Sequence, residues 1–261
     1  MLEPGSDRVA FALFDRARRQ IGEAPAALYV ANADGRHLRG PFQARYESLA
    51  VGRRYRSATV ASDPDAVEFV YVSRATFPGP GRYRLMGVVQ LDQRLVATKP
   101  VTVTVRAGWR VPDVGQTAPR VHTPTAASAA GRLQLIDTRS PRDSMHDEDL
   151  ADVLGRRPLL LLFSSPGQCR SHVCGSVVDA LAELKGRRGR DAAFIHMETY
   201  RNNDPRQGAR DQVRAYGLPS QPWLFAIDRH GRVAARIEGA FSEREAEQAL
   251  DAAIRGEGVR E

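Results

Sequence analysis

The feature that most constrains this chain is the apolar run Leu159-Leu160-Leu161-Leu162-Phe163, which breaks at Ser164-Ser165-Pro166-Gly167 and is followed by the only two cysteines, Cys169 and Cys174. Five apolar residues bounded by turn residues are too few for a core helix and read as a strand buried on both faces, the kind found in a parallel sheet. Beyond the turn, Val173, Val177, Leu181 and Leu184 recur at helical spacing and define one apolar helix face. A buried strand, a Pro/Gly turn and an amphipathic helix with thiols at its start require a layered α/β architecture for the second half of the chain.

The cysteine spacing limits the geometry further. Two residues five apart on an unbroken α-helix are separated by about 8.6 Å between Cα atoms and point about 140° apart. Bridged cysteines rarely exceed about 7 Å. A bond between Cys169 and Cys174 therefore requires Cys169 to lie outside the helix, and Ser171 is the expected N-cap, with Cys174 at the third helical position. The helix start presents free N–H groups and partial positive charge to both sulfurs and favours thiolate, with Arg170 and His172 adding to the effect. The same residues also fit a closed structural disulfide or a pair of inert buried thiols.

In 261 residues there is room for two domains, each with its own core. Hydrophobic residues at 42% and charged residues at 26% describe a globular chain and leave little for disorder. No apolar stretch approaches the roughly 20 residues that span a bilayer. The formal charge of +7 comes almost wholly from arginine, since Lys99 and Lys185 are the only lysines, and it is dispersed among acids. A nucleic-acid partner is not expected, because such proteins gather charge into a stripe with aromatics among it. The residues from Met1 to Arg8 show no basic segment leading into an apolar core, so no signal peptide is visible in the chain as given.

Residues 1–110 read as short strands near 9–14, 27–30, 57–60, 68–72, 83–89 and 101–105, separated by turn signals such as Asn32-Ala33-Asp34-Gly35 and Pro78-Gly79-Pro80-Gly81. This predicts an antiparallel β-sandwich of immunoglobulin-like type. Residues 111–130, rich in Pro and Ala and poor in bulky apolar side chains, read as a semi-extended linker. Residues 131–261 alternate strand and helix: strands near 133–136, 158–163, 192–197, 223–227 and 233–237, and helices near 147–154, 173–184, 206–216 and 242–254. Ser242 followed by Glu245 is a capping box for the last helix. A mixed sheet with helices on both faces follows.

Residues 131–256 resemble the thioredoxin fold, on the cysteine pair after a central strand and on Gly217-Leu218-Pro219-Ser220-Gln221-Pro222-Trp223 before a hairpin. The segments Cys169-Arg170-Ser171-His172-Val173-Cys174-Gly175, Phe194-Ile195-His196-Met197-Glu198 and Gln221-Pro222-Trp223-Leu224-Phe225 are similar to extracytoplasmic bacterial thioredoxin-like proteins. The resemblance implies a cis Pro222 facing Cys169, a leader or lipid anchor upstream of Met1, and an accessory role for the strand domain. It departs from the thioredoxin pattern in having C-x4-C instead of C-x2-C, and no acid in 159–163 to take a proton from the inner thiol.

The leading expectation is a thiol-disulfide oxidoreductase-like protein acting on protein or small thiol partners without a cofactor or metal. Cys169 attacks, Cys174 resolves, and Pro222 holds the substrate chain. Gln221, Trp223 and Arg170 are the expected substrate contacts. Glu198, near the end of a strand, is a candidate for proton transfer or for a pair with Arg201 or Arg214. Three alternatives remain open: a peroxide reductase, since Ser165-Pro166-Gly167-Gln168-Cys169 and Cys174 resemble the Q-type peroxiredoxins; a copper-handling protein with His172 or His196 as third ligand; and a non-enzymatic envelope interaction module. The sequence leaves the oligomeric state open.

Overall fold

The structure is a computed structural model, described for residues 1–258. The chain forms two compact units, one from Met1–Ser48 with Val67–Trp109, the other from Leu49–Ala66 with the chain from Arg110 onward.

The first unit contains β1 (Gly5–Phe11), β2 (Ala26–Asn32), β3 (Arg39–Ser48), β4 (Phe69–Phe77), β5 (Gly81–Leu91), β6 (Arg94–Ala97) and β7 (Val101–Val105). All pair antiparallel in one curled sheet of order β1-β4-β3-β2-β5-β6. β5 is long enough to pair with β7 along Gly81–Leu85 and with β6 along Val88–Leu91. Inward residues Val9, Leu28, Val30, Ala75, Phe77, Tyr83 and Val105 form one core cluster. Leu13, Ala26, Tyr71 and Val89 form a second. The expected strand at 57–60 is instead a single helical turn, α1 (Ala58–Ala61), whose N-cap Ser57 accepts the Val60 N–H, and it belongs to the second unit.

In the second unit the chain runs through α1, α2 (Leu150–Val153), β8 (Leu159–Phe163), α3 (Cys174–Arg188), β9 (Ala193–Met197), α4 (Asp211–Ala215), β10 (Trp223–Ile227), β11 (Val233–Glu238) and α5 (Glu243–Arg255). The sheet order is β11-β10-β8-β9, with β8 and β9 parallel and the other pairs antiparallel. Every residue of β8, β9 and β10 is buried, which accounts for their lack of polar alternation. Leu160, Leu162, Leu224 and Ala226 share one face of the sheet and pack with Val177, Val178, Leu181 and Leu184 of α3 and with Ala246, Ala249, Leu250 and Ala253 of α5. The residues between them in the strands face the other way, where Tyr216 at the end of α4 meets Phe163 and Phe225 with ring centroids 5.0 and 5.1 Å away. Ser242 and Glu245 form the expected capping box at the start of α5.

Three further expectations change. The strand near 133–136 is a 3-10 turn, Leu133–Leu135, because its backbone donors bond within the turn and find no sheet edge. The long polar helix near 206–216 is divided into a 3-10 turn, Pro205–Gln207, and α4, with Gly208 at φ 78° between them. Residues 111–130 are not a free spacer. Val111, Ala118, Thr123 and Ala129 are buried, and Gly115, Gln116 and Ala118 exchange backbone hydrogen bonds with Val233 and Gly231, so the segment covers the open edge of β11.

The excursion at residues 49–66 is fixed to α3 by charge. Asp179 is 1% exposed and accepts from Ser57 N–H (2.7 Å), Ser57 Oγ–H (3.0 Å) and Arg139 Nε–H (2.8 Å), while Arg139 donates to the Tyr55 and Pro141 carbonyls. Removing one partner of such a pair leaves a buried charge alone. Asp179→Ala is expected to destabilise the second unit by about 3–5 kcal/mol, read from denaturant unfolding. A loss below about 1 kcal/mol, the scale of an exposed pair, would show that Arg139 reaches solvent instead.

Candidate functional site

Beyond β8 the chain turns through Ser164 and Ser165 into a 3-10 turn, Pro166–Gln168, which ends on Cys169 in extended conformation. The chain then curls back through Arg170, Ser171 and His172 to enter α3 at Cys174. His172 takes φ 56°, a left-handed conformation that side-chain-bearing residues seldom adopt, and its Nδ1 lies 2.8 Å from Asp63 Oδ2. With this reversal the Cys169 and Cys174 Cα atoms are 5.8 Å apart and the sulfurs are bonded. Cys169 lies outside the helix, as bridging demands. Ser171 is not the cap: Val173 occupies the N-cap, Cys174 is the first helical residue, and the Ser171 hydroxyl lies 3.4 Å from Cys169 Sγ.

The two sulfurs have unlike surroundings. Cys174 is fully buried, whereas Cys169 is partly exposed. The Cys174 N–H, one of the free donors at the α3 terminus, points at Cys169 Sγ from 3.2 Å. A thiolate formed at Cys169 would accept that bond and sit in the positive end of a 15-residue helix. Arg170 is exposed on the same loop.

The Gln221–Pro222 peptide is cis, and a line of hydroxyls and amides ties its loop to the cysteine turn. The Ser165 hydroxyl accepts the Thr199 N–H at 2.9 Å and lies 2.7 Å from Thr199 Oγ1. Thr199 Oγ1 in turn donates to Gln221 Oε1 at 3.1 Å, and Gln221 Nε2 donates to the Gln168 carbonyl at 3.2 Å. Gln221 is thus a brace between Pro222 and the residue preceding Cys169. Next to Gln168, an open depression of about 530 Å³ is lined by Asn203, Asp204, Pro205 and Arg206.

Other candidates are placed differently. Trp223 is 1% exposed, stacked on Phe225 at 5.9 Å, with its indole N–H on Ser220 Oγ; as the first residue of β10 it is core, not a contact surface. Glu198 is buried and pairs with neither Arg201 nor Arg214, both of which reach Asp211. Its Oε1 accepts from the Thr138 N–H and hydroxyl, each at 2.7 Å, and neither sulfur is among its hydrogen-bond partners. The His172 ring is turned to Asp63. His196 is held by Asp143 Oδ2 at Nδ1 (2.7 Å) and the Ser164 carbonyl at Nε2 (3.0 Å), so neither histidine joins the thiols as a copper ligand. Burial opposes charge on His196, but the adjacent Asp143 carboxylate outweighs it and lifts the imidazole to about 9.

Thr138 and Ser164 are contributors with no signal in the sequence. Thr138 Oγ1 accepts the Gly167 N–H at 2.9 Å while donating to Glu198, so the turn before Cys169 rests on a residue 29 positions earlier. Gly167 is required there, since a Cβ would lie 2.9 Å from the Thr138 Cβ. Ser164 Oγ donates to the Cys174 carbonyl at 3.1 Å.

A β-α-β unit joined to a β-hairpin and a closing helix, with a cysteine pair at the start of the first helix and a cis-proline before the hairpin, is the arrangement of the thioredoxin fold. No family model matches the chain, and no curated protein matches it. Among solved structures it is similar to a proposed thiol:disulfide interchange protein DsbE from Chlorobium tepidum, at 18% identity and TM-score 0.39, over 55% of this chain and 99% of that one. It is also similar to a thioredoxin-family thiol:disulfide interchange protein from Chlorobium tepidum TLS, at 17% identity and TM-score 0.37, over 54% and 97%.

Thr138→Val keeps the shape and removes the hydroxyl shared by Glu198 and Gly167. It is expected to cost about 1–3 kcal/mol of stability, measured by denaturant unfolding of the oxidised protein. A variant as stable as the parent would show that the Gly167 N–H and Glu198 find other partners.

Proposed function

We propose that the protein is a thiol-disulfide oxidoreductase acting through Cys169 and Cys174 on a protein or small-molecule disulfide. The observation that carries this reading is the asymmetry of the pair: a partly exposed sulfur that receives a helix-terminal N–H, bonded to a fully buried one. In the reduced protein the Cys169 thiolate attacks one sulfur of the partner's disulfide. A mixed disulfide forms and the partner's other sulfur leaves as thiolate. The Cys174 thiolate then attacks Cys169 Sγ, releasing the partner's second sulfur and closing the intramolecular bond. Two electrons pass from the pair to the partner, and the reverse sequence oxidises a partner dithiol.

In this reading the depression next to Gln168 receives the partner's chain, the buried cis Pro222 sets the loop that Gln221 braces behind it, and the exposed Arg170 of the cysteine loop is a further contact. An oxidising compartment outside the cytoplasm suits a chain with a closed disulfide and no free thiol among the described residues. No helix among those residues is long and apolar enough to cross a membrane. The strand unit is then an accessory domain, and its immunoglobulin-like assignment rests on the number and spacing of its strands.

The test compares single-serine variants. Cys174→Ser is expected to accumulate a mixed disulfide through Cys169 when offered oxidised glutathione or a disulfide-bonded protein, and Cys169→Ser to react at least tenfold more slowly. Equal rates, faster reaction at Cys174, or a native disulfide that dithiothreitol fails to open would overturn the assignment in favour of a structural staple.

A further inference from the structure

We propose that Asp137, Asp143, His146 and His196 form a closed, buried binding site for a divalent transition cation of the zinc class. The loop between the Leu133–Leu135 turn and α2 supplies the first three, and β9 supplies His196. One ligand atom from each can be chosen so that all four lie within 4.8 Å of one another. All four side chains are at least 98% buried.

The second observation is His146. It is 2% exposed, and neither ring nitrogen has a hydrogen-bond partner, although a buried imidazole ordinarily finds one. Its Nε2 is aimed between two carboxylate oxygens, 3.6 Å from Asp137 Oδ2 and 3.5 Å from Asp143 Oδ1. Those separations are too long for good hydrogen bonds. They are close to the edge of a zinc tetrahedron, about 3.3 Å for metal–ligand bonds of about 2.0–2.1 Å.

Charge and orientation agree. Two carboxylates buried without exposure need compensation, and among the described residues only His146 and His196 form ion pairs with them. A divalent cation neutralises both. Each carboxylate is oriented by backbone donors: Asp137 by the Arg139 and Asp143 N–H groups, Asp143 by the Met145 N–H. His196 keeps Nε2 on the Ser164 carbonyl, the outer contact that fixes the tautomer of a metal-ligating imidazole, and turns Nδ1 toward the carboxylates, 2.7 Å from Asp143 Oδ2. The cation takes the place of the proton shared by His196 Nδ1 and Asp143 Oδ2. Two imidazoles and two carboxylates suit zinc better than Cu(I), which prefers sulfur. Four protein ligands without an open position make the site structural rather than catalytic.

The test uses the full chain with Zn(II) and Co(II) as probes. After incubation with Zn(II) and removal of excess by gel filtration, the parent and the Cys169→Ser/Cys174→Ser variant are each expected to retain one zinc per chain, and His146→Ala less than a tenth of that. Retention of none by the parent, equal retention by His146→Ala, or loss on removing the thiols would overturn the site. Where His146→Ala fails to fold, the Co(II) spectrum of the parent decides. Intense visible bands of a tetrahedral centre without sulfur-to-cobalt charge transfer support it, and the weak spectrum of octahedral or aqueous cobalt overturns it.

Discussion

The site depends on one reversal of the backbone, between Cys169 and Cys174. Five residues of regular helix would hold the sulfurs apart, so the chain must leave helical geometry for the whole of that interval and regain it at Cys174. The left-handed His172 makes the reversal, and its imidazole is tied to Asp63. The residue that stabilises this bend thus comes from the 49–66 excursion, which lies between β3 and β4 in the sequence but belongs to the second unit. This accounts for the buried Asp179–Ser57–Arg139 set: it docks the excursion on α3, one turn beyond the cysteine it serves.

Around that bend, polar side chains occupy the places where a backbone carrying thiols would otherwise be loose. Thr138 accepts the Gly167 N–H, Gln221 donates to the Gln168 carbonyl, and Ser164 donates to the Cys174 carbonyl. Each tie comes from a different part of the unit. In the oxidised protein these bonds hold Cys169 beside the α3 terminus. Under the oxidoreductase reading, ties of this kind would keep the attacking geometry when the bond opens, which mere closure of a loop does not need.

Much of this was legible in the sequence, and what was hidden has a common cause. Local patterns foretold β8, β10, the capping box of α5 and the need for Cys169 to lie outside the helix. β3 and β6 escape a pattern reading: Arg39–Ser48 is mostly polar, and Arg94–Ala97 is four residues long with Leu95 and Val96 both exposed, so neither shows the alternation of a half-buried strand. Ser57-Ala58-Thr59-Val60 has the β-branched composition of a strand, yet Ser57 uses its hydroxyl as a helix cap and as a donor to Asp179. The place of Trp223 beside Pro222 suggests a contact surface, but the strand that begins there turns the indole into the core. Thr138 and Asp63 are 29 and 109 residues from their partners in the site, and no periodicity connects such positions.

The absence of an acid in β8 has a structural counterpart one strand away. Where the resemblance leads one to expect a carboxylate under the inner thiol, Leu159–Phe163 offers only hydrocarbon, and the buried charge is held instead at His196 and Asp143 alongside β9. Ser164 joins the two regions: its carbonyl accepts from His196 Nε2, and its hydroxyl donates to the carbonyl of Cys174. The charged cluster does not touch the sulfurs and cannot take their proton directly. Its link to the pair runs through Ser164, from the His196 ring to the carbonyl of the inner cysteine.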